Sequence, residues 1–200
     1  MSTLPAPAPT PAPAEAVAVA RLSPGFLAFG WASAVALNGF VDLEAATRGW
    51  SDLANLHQAA LAVGAMFGLW VVVSSMGLVV EGHQLTMRGF WFVWRGNPWA
   101  VRAALNRSSL TLEVRQQAAD GPEDVRVDVA AVQGSVIEQL RGNVRAAGAI
   151  RRLRNVQAAT PLDDAAPALL RRRLRFELAL WVVGAAAAQW LLSGFLWSIG

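Results

Sequence analysis

The sequence predicts a membrane α-helical protein: three transmembrane helices, with a small α+β cytoplasmic domain inserted between spans 2 and 3. Three observations predict it. First, the 200-residue chain is 54% apolar before its 17 glycines are counted, more than a soluble domain carries. Second, residues 22–41 and 59–80 hold no charge, and residues 176–199 hold one, Glu177. Each run is long enough to cross a hydrocarbon core of ~30 Å as a helix. Third, residues 82–175 contain 15 arginines against eight acids, a surplus of seven.

Residues 1–21 read as a Pro/Ala-rich cytoplasmic tail. Five prolines alternate from Pro5 to Pro13; each fixes φ and removes a donor, which favours an extended, solvated, disordered spacer. No positive n-region precedes an apolar core, so it is not a secretory signal. Residues 22–80 are expected to form a transmembrane helical hairpin. Its first run has Pro24 in a tolerant first turn and Asn38 in its interior. The connection 42–58 holds Asp42, Glu44 and Asp52 against Arg48, a charge of −2. The second run carries Gly64 and Gly68 at GxxxG spacing, which allows a neighbouring helix to approach closely.

Residues 81–170 are expected to be the α+β domain. They open with Phe90, Trp91, Phe92, Trp94 and Trp99, interleaved with Arg88, Arg95 and Arg102. Such a mixture can stack on bases, but so soon after a span it reads as headgroup anchoring, with Trp91, Trp94 and Trp99 as anchors. Asn97-Pro98 is a helix-start pattern, giving a short helix to about Asn106. Leu110, Leu112 and Val114, then Val125, Val127 and Val129, alternate with polar residues around a turn-rich segment, giving a β-hairpin at about 109–130. A further strand is expected near 85–94. Ser135 and Glu138 form a capping box opening a basic helix at about 135–154. Ile137, Leu140, Val144, Ala147 and Ile150 form its apolar stripe; Arg141, Arg145 and Arg152 form a lipid or partner surface. Residues 155–168 read as a linker.

Residues 171–200 are the expected C-terminal transmembrane helix. Arg171, Arg172, Arg173 and Arg175 precede it as a topology anchor, since arginine-rich segments stay in the cytoplasm. Gly184 to Ala188 offer a smooth packing face. The charge pattern places the N-terminus in the cytoplasm and the C-terminus in the periplasm of a multi-pass bacterial inner-membrane protein.

The residue inventory excludes several chemistries. With no cysteine there is no disulfide, zinc-thiolate site, iron–sulfur cluster or thiol nucleophile. All 17 basic residues are arginine, so no Schiff-base lysine and no phosphate-loop lysine exist. Two histidines are too few for an all-histidine metal site. No nucleophile–base set assembles, and no enzyme is expected. Glu81 and His83 could pass protons at the end of the second span, but no ionisable residue continues their path.

His57 followed after 13 residues by Trp70 is similar to the single-span light-harvesting polypeptides. That resemblance implies a bacteriochlorophyll or haem bound by His57, with Trp70 donating to it; the residues alone imply no cofactor. A helical hairpin followed by a small sheet and a helix also resembles bacterial membrane proteins carrying pleckstrin-like domains. The functional expectation is a non-catalytic accessory, scaffolding or assembly subunit of a larger membrane complex. Its expected partners are other membrane subunits and membrane lipids, anionic ones included, with no nucleic acid and no soluble substrate. The alternatives are a pigment- or haem-associated subunit of a photosynthetic or respiratory complex, and a membrane-anchored lipid- or protein-binding adaptor.

Overall fold

The computed structural model describes residues 16–47, 53–106, 109–129, 144–160 and 168–199. Eight strands form one curled, mixed sheet, a half-barrel. They are β1 (Ala16–Arg21), β2 (Gly77–Glu81), β3 (Gln84–Arg88), β4 (Phe92–Gly96), β5 (Val101–Asn106), β6 (Ser109–Ala118), β7 (Gly121–Asp128) and β8 (Leu170–Leu174). The order is β1-β2-β3-β4-β8-β6-β5, with β7 also on β6. All pairings are antiparallel except a single parallel contact, Gln116 with Leu170, between β6 and β8. Alternation puts Leu78, Val80, Leu85, Met87, Leu112 and Val114 on one side, where they form the core. Gly82, at φ 56°, makes the tight β2–β3 turn that a side chain would strain.

Four described α-helices complete the fold: α1 (Pro24–Thr47), α2 (Leu53–Ser74), α3 (Val144–Ala159) and α4 (Phe176–Ile199). α3 lies across the sheet on Ala146, Ala149 and Leu153. The other three form a bundle, and each is long and apolar enough to cross a membrane. Gly64 and Gly68 face α4, where a Cβ on Gly64 would stand 2.6 Å from the Ala185 carbonyl and one on Gly68 would strike the Trp181 carbonyl. Trp70 lies over Gly30 of α1, with Phe26 tilted against it at 5.2 Å. At the far end Val41 and Ala45 meet Leu56 and Ala60. There Gln189 Nε2 and Ser193 Oγ both donate to Asp42, at 2.7 and 3.0 Å.

The expected plan, a helical membrane protein with a domain inserted between spans 2 and 3, is not the fold. The sheet takes β1 from before the first apolar helix, and β8 runs into the last. Sheet and helices therefore interleave along the chain. Residues 16–21, expected within a disordered tail, are the edge strand β1; residues 1–15 of that tail lie outside the described residues. The second apolar run divides: its helix stops at Ser74, and Gly77–Glu81 pairs with β1 and β3. A short apolar run satisfies a buried strand as well as a helix end, and two neighbouring strands settle the choice. The segment expected as a helix after Asn97-Pro98 is a 3-10 turn, Pro98–Ala100, and then a strand. The cap itself forms, with the Trp99 amide donating to Asn97 Oδ1 at 2.9 Å. The hairpin pairs Leu112 with Val127 and Val114 with Val125, as its alternation predicts. The basic helix continues past 154 into the expected linker, and Val144, assigned to its apolar stripe, is exposed. Residues 135–143 of that helix lie outside the described residues.

The α2–α4 seam yields a prediction. Gly68→Leu forces a side chain into the backbone of α4 and should cost about 1–3 kcal/mol. Gly184→Leu, facing open space, should change stability by under ~0.5 kcal/mol. Denaturation midpoints in detergent measure both; equal losses would contradict the assigned seam.

Candidate functional site

The three apolar helices all meet the sheet at one end. β1 leads into α1 through Leu22 and Ser23, α2 into β2 through Ser75 and Met76, and β8 into α4 through Arg175. Arg175 is where these elements join. Its side chain is 2% exposed. Nη2 donates to Ser75 Oγ at 2.7 Å, Nη1 to the Gly89 carbonyl at 2.7 Å, and Nε to Glu177 at 3.0 Å. Its amide donates to the Trp91 carbonyl at 2.9 Å. A buried guanidinium is tolerable only when its donors are occupied in this way.

Beside this junction the sheet face opposite the core carries unneutralised charge. Register places Arg95 opposite Arg171, and Val93 opposite both Arg173 and Arg88. Directly paired residues point to one face, so Arg88, Arg95, Arg171 and Arg173 share it, all exposed. No described carboxylate forms an ion pair with any of the four. Glu81 is on the same face but on β2, opposite Gln84. Glu177 is bonded to Arg175. Arg95, Arg171 and Arg173 line a cleft of about 730 Å³, with Gln84 at one side and Leu174 and Phe176 at its lip. Like charges placed directly opposite are destabilising, so this arrangement favours an anion between them. It supplies cations and hydrogen-bond donors in a forked geometry.

The sequence-derived candidates fall in several places. Arg171 and Arg173 enter the cleft, while Arg172 faces the other way, 3.7 Å over the Phe92 ring. Trp91 is exposed beside the junction. Trp94 cannot act as a membrane anchor, because it is 6% exposed inside the sheet core. Trp99 donates from Nε1 to the Thr160 carbonyl at 3.2 Å, fastening the 3-10 turn to the end of α3. Gly184 and Ala188 lie on the outward side of α4, whereas the smooth seam uses Ala185 and Ala186.

His57 packs edge-on to Trp190 at 5.2 Å. At 1.5 Å per residue it stands about 20 Å along the helix from Trp70, whose Nε1 is buried without a partner. The structure does not bring these two into one site. Glu81 ends β2 and His83 lies in the β2–β3 turn, not at a helix end. Among the described residues no group of three or more His, Asp or Glu could hold a metal ion.

Arg145 and Arg152 are engaged rather than free. Arg145 Nη2 donates to the Arg21 carbonyl at 2.8 Å, and Arg152 Nε to the Val19 carbonyl at 3.1 Å. They tie α3 to the open edge of β1, where the register slips between Ala18 and Ala20 and leaves Val19 unpaired. Arg141 lies outside the described residues. Sequence reasoning assigns Arg88 and Arg95 to a headgroup belt and misses their alignment with β8. The available signal is the odd-numbered spacing of Arg171 and Arg173 between Leu170 and Leu174.

No protein-family model matches this sequence, and no curated protein or solved structure matches it.

The edge contact is testable. Arg152→Gln removes a charged donor from a carbonyl it satisfies, a change of about 1.5–3 kcal/mol. Amide exchange in β1 should accelerate at least tenfold while β6 and β7 keep their protection. Unchanged β1 exchange would show that Arg152 does not hold the edge.

Proposed function

We propose that this chain is a non-catalytic accessory or assembly subunit of a bacterial inner-membrane complex. α1, α2 and α4 cross the bilayer, and the curled sheet stands at its cytoplasmic surface. The observation that carries this reading is the shared end: all three apolar helices enter the sheet from one side, and that side holds the arginine surplus. Segments rich in arginine remain cytoplasmic, so the N-terminus is inside and the end of α4 outside. The outward faces of the helices are apolar and exposed, including Phe29, Val35, Leu180, Val183 and Phe195, as surfaces in contact with lipid or other membrane chains are. The adaptor role belongs to the β4–β8 face, where the arginines align unpaired, whereas Arg145 and Arg152 of α3 bond the backbone of β1.

Two measurements test the reading. The chain contains no cysteine, so single replacements report topology cleanly. A membrane-impermeant maleimide should label Ser198→Cys in intact spheroplasts, and Gln117→Cys only after lysis. The chain should also stay with membranes in alkaline carbonate. Mild-detergent extraction of native membranes should then recover it in an assembly with other membrane chains. Carbonate release, outside labelling of Gln117→Cys, or recovery as a lone 21.3 kDa chain would overturn the proposal.

A further inference from the structure

We infer that the β4–β8 cleft binds the phosphate of an anionic phospholipid drawn from the surrounding bilayer. The inference rests on the membrane reading above and names the ligand of its basic face. Arg95 and Arg171 oppose each other across the β4–β8 ladder, and Arg173 follows two residues along the same face. These three guanidiniums have no carboxylate partner and converge on one cleft, whose single acid, Glu177, is neutralised by Arg175. A phosphate oxygen accepts from guanidinium in a bidentate fork, so one phosphodiester relieves the repulsion of the pair.

The lip of the cleft selects the source of that phosphate. Leu174 is 52% exposed and Phe176 is 74% exposed, and α4 begins at Phe176. The basic wall therefore passes within a few residues into an apolar helix surface. A free phosphate has no use for that lip. A phospholipid places its headgroup on Arg95, Arg171 and Arg173 and runs its acyl chains past Phe176 along α4. Gln84 offers an amide to the headgroup's glycerol or to a second phosphate oxygen. Arg175 also lines the cleft, but its side chain is 2% exposed and three of its five N–H groups are bonded inside the junction, so the exposed arginines make the contact.

The test uses the full chain purified in a phospholipid-free detergent, with lipid retention read by native mass spectrometry. Phosphatidylglycerol should bind at least tenfold more tightly than phosphatidylcholine of the same chain length. At about 1 kcal/mol for each arginine near a lipid surface, Arg95→Gln with Arg171→Gln should weaken phosphatidylglycerol binding about 25-fold. Arg115→Gln with Arg126→Gln, on the β6–β7 hairpin, removes the same charge and should change it less than twofold. Phe176→Ser should weaken the lipid further while leaving inorganic phosphate unaffected. Circular dichroism of each variant confirms the fold; the cleft arginines are exposed and unbonded, so it should be kept.

Equal retention of the two lipids, or full retention by the Arg95/Arg171 variant, overturns the inference. So does an equal loss in the Arg115/Arg126 control, which would mean net charge alone. Inorganic phosphate binding as tightly as phosphatidylglycerol reassigns the cleft to soluble anions. Displacement of the lipid by an acidic peptide at equal concentration reassigns it to a protein partner. A chain that resists carbonate but fails these arms loses only this inference; a chain released by carbonate loses both.

Discussion

The architecture depends on one buried cation. Arg175 is the single residue between β8 and α4, and its guanidinium joins the end of α2, the β3–β4 turn and the first turn of α4. Burying a charge is costly, and the cost is met only where the surrounding oxygens are fixed in place. Ser75, Gly89 and Glu177 meet that condition together, so the three elements must hold their relative positions for any of the bonds to form. Glu177 is about half exposed and contributes less than the two short bonds to Ser75 and Gly89. The junction thereby sets where the sheet stands on the bundle, and with it the placement of the neighbouring arginines on β8.

A second polar contact closes the opposite end of the bundle. Asp42 accepts from Gln189 and Ser193, linking α1 to α4, and Gln189 also donates to Ser193 at 3.2 Å. Between the two ends the helices meet through small residues and aromatic rings, with Gly64 and Gly68 on α4 and Trp70 on Gly30. On the proposed membrane reading apolar burial does not favour helix association, so close backbone approach and a few hydrogen bonds must supply specificity. Arg175 bonds at the sheet end, Gln189 reaches Asp42 from the middle of α4, and the remaining seam is left to van der Waals packing.

Parts of this were legible in the residues. The three apolar runs were plain because length and charge exclusion are strong signals, and the hairpin was plain because Leu110 to Val114 and Val125 to Val129 alternate strictly. What failed to show was long-range pairing. Gly77–Glu81 extends an apolar run, so nothing local divides it from the helix; only pairing with residues 16–21 and 84–88 does. The stretch Leu170–Leu174 was hidden in the same way. Read locally it is a charge cluster, and its strand character comes from β4, far earlier in the chain. Asp42 looked like a loop acid because its partners, Gln189 and Ser193, are 147 and 151 positions away. The cleft was invisible for the same reason, since its two walls come from β4 and β8.

The most direct test of the central claim is hydrogen exchange on the Arg175→Met variant, which keeps an apolar stem and removes every side-chain donor. The account predicts that amides of residues 89–95 and 170–174 exchange at least tenfold faster, since a lost charged hydrogen bond is worth about 1.5–3 kcal/mol. Protection in the middle of α2 and α4 should persist. Wild-type protection across the β4–β8 ladder in that variant would contradict the claim that this guanidinium holds the sheet to the helices.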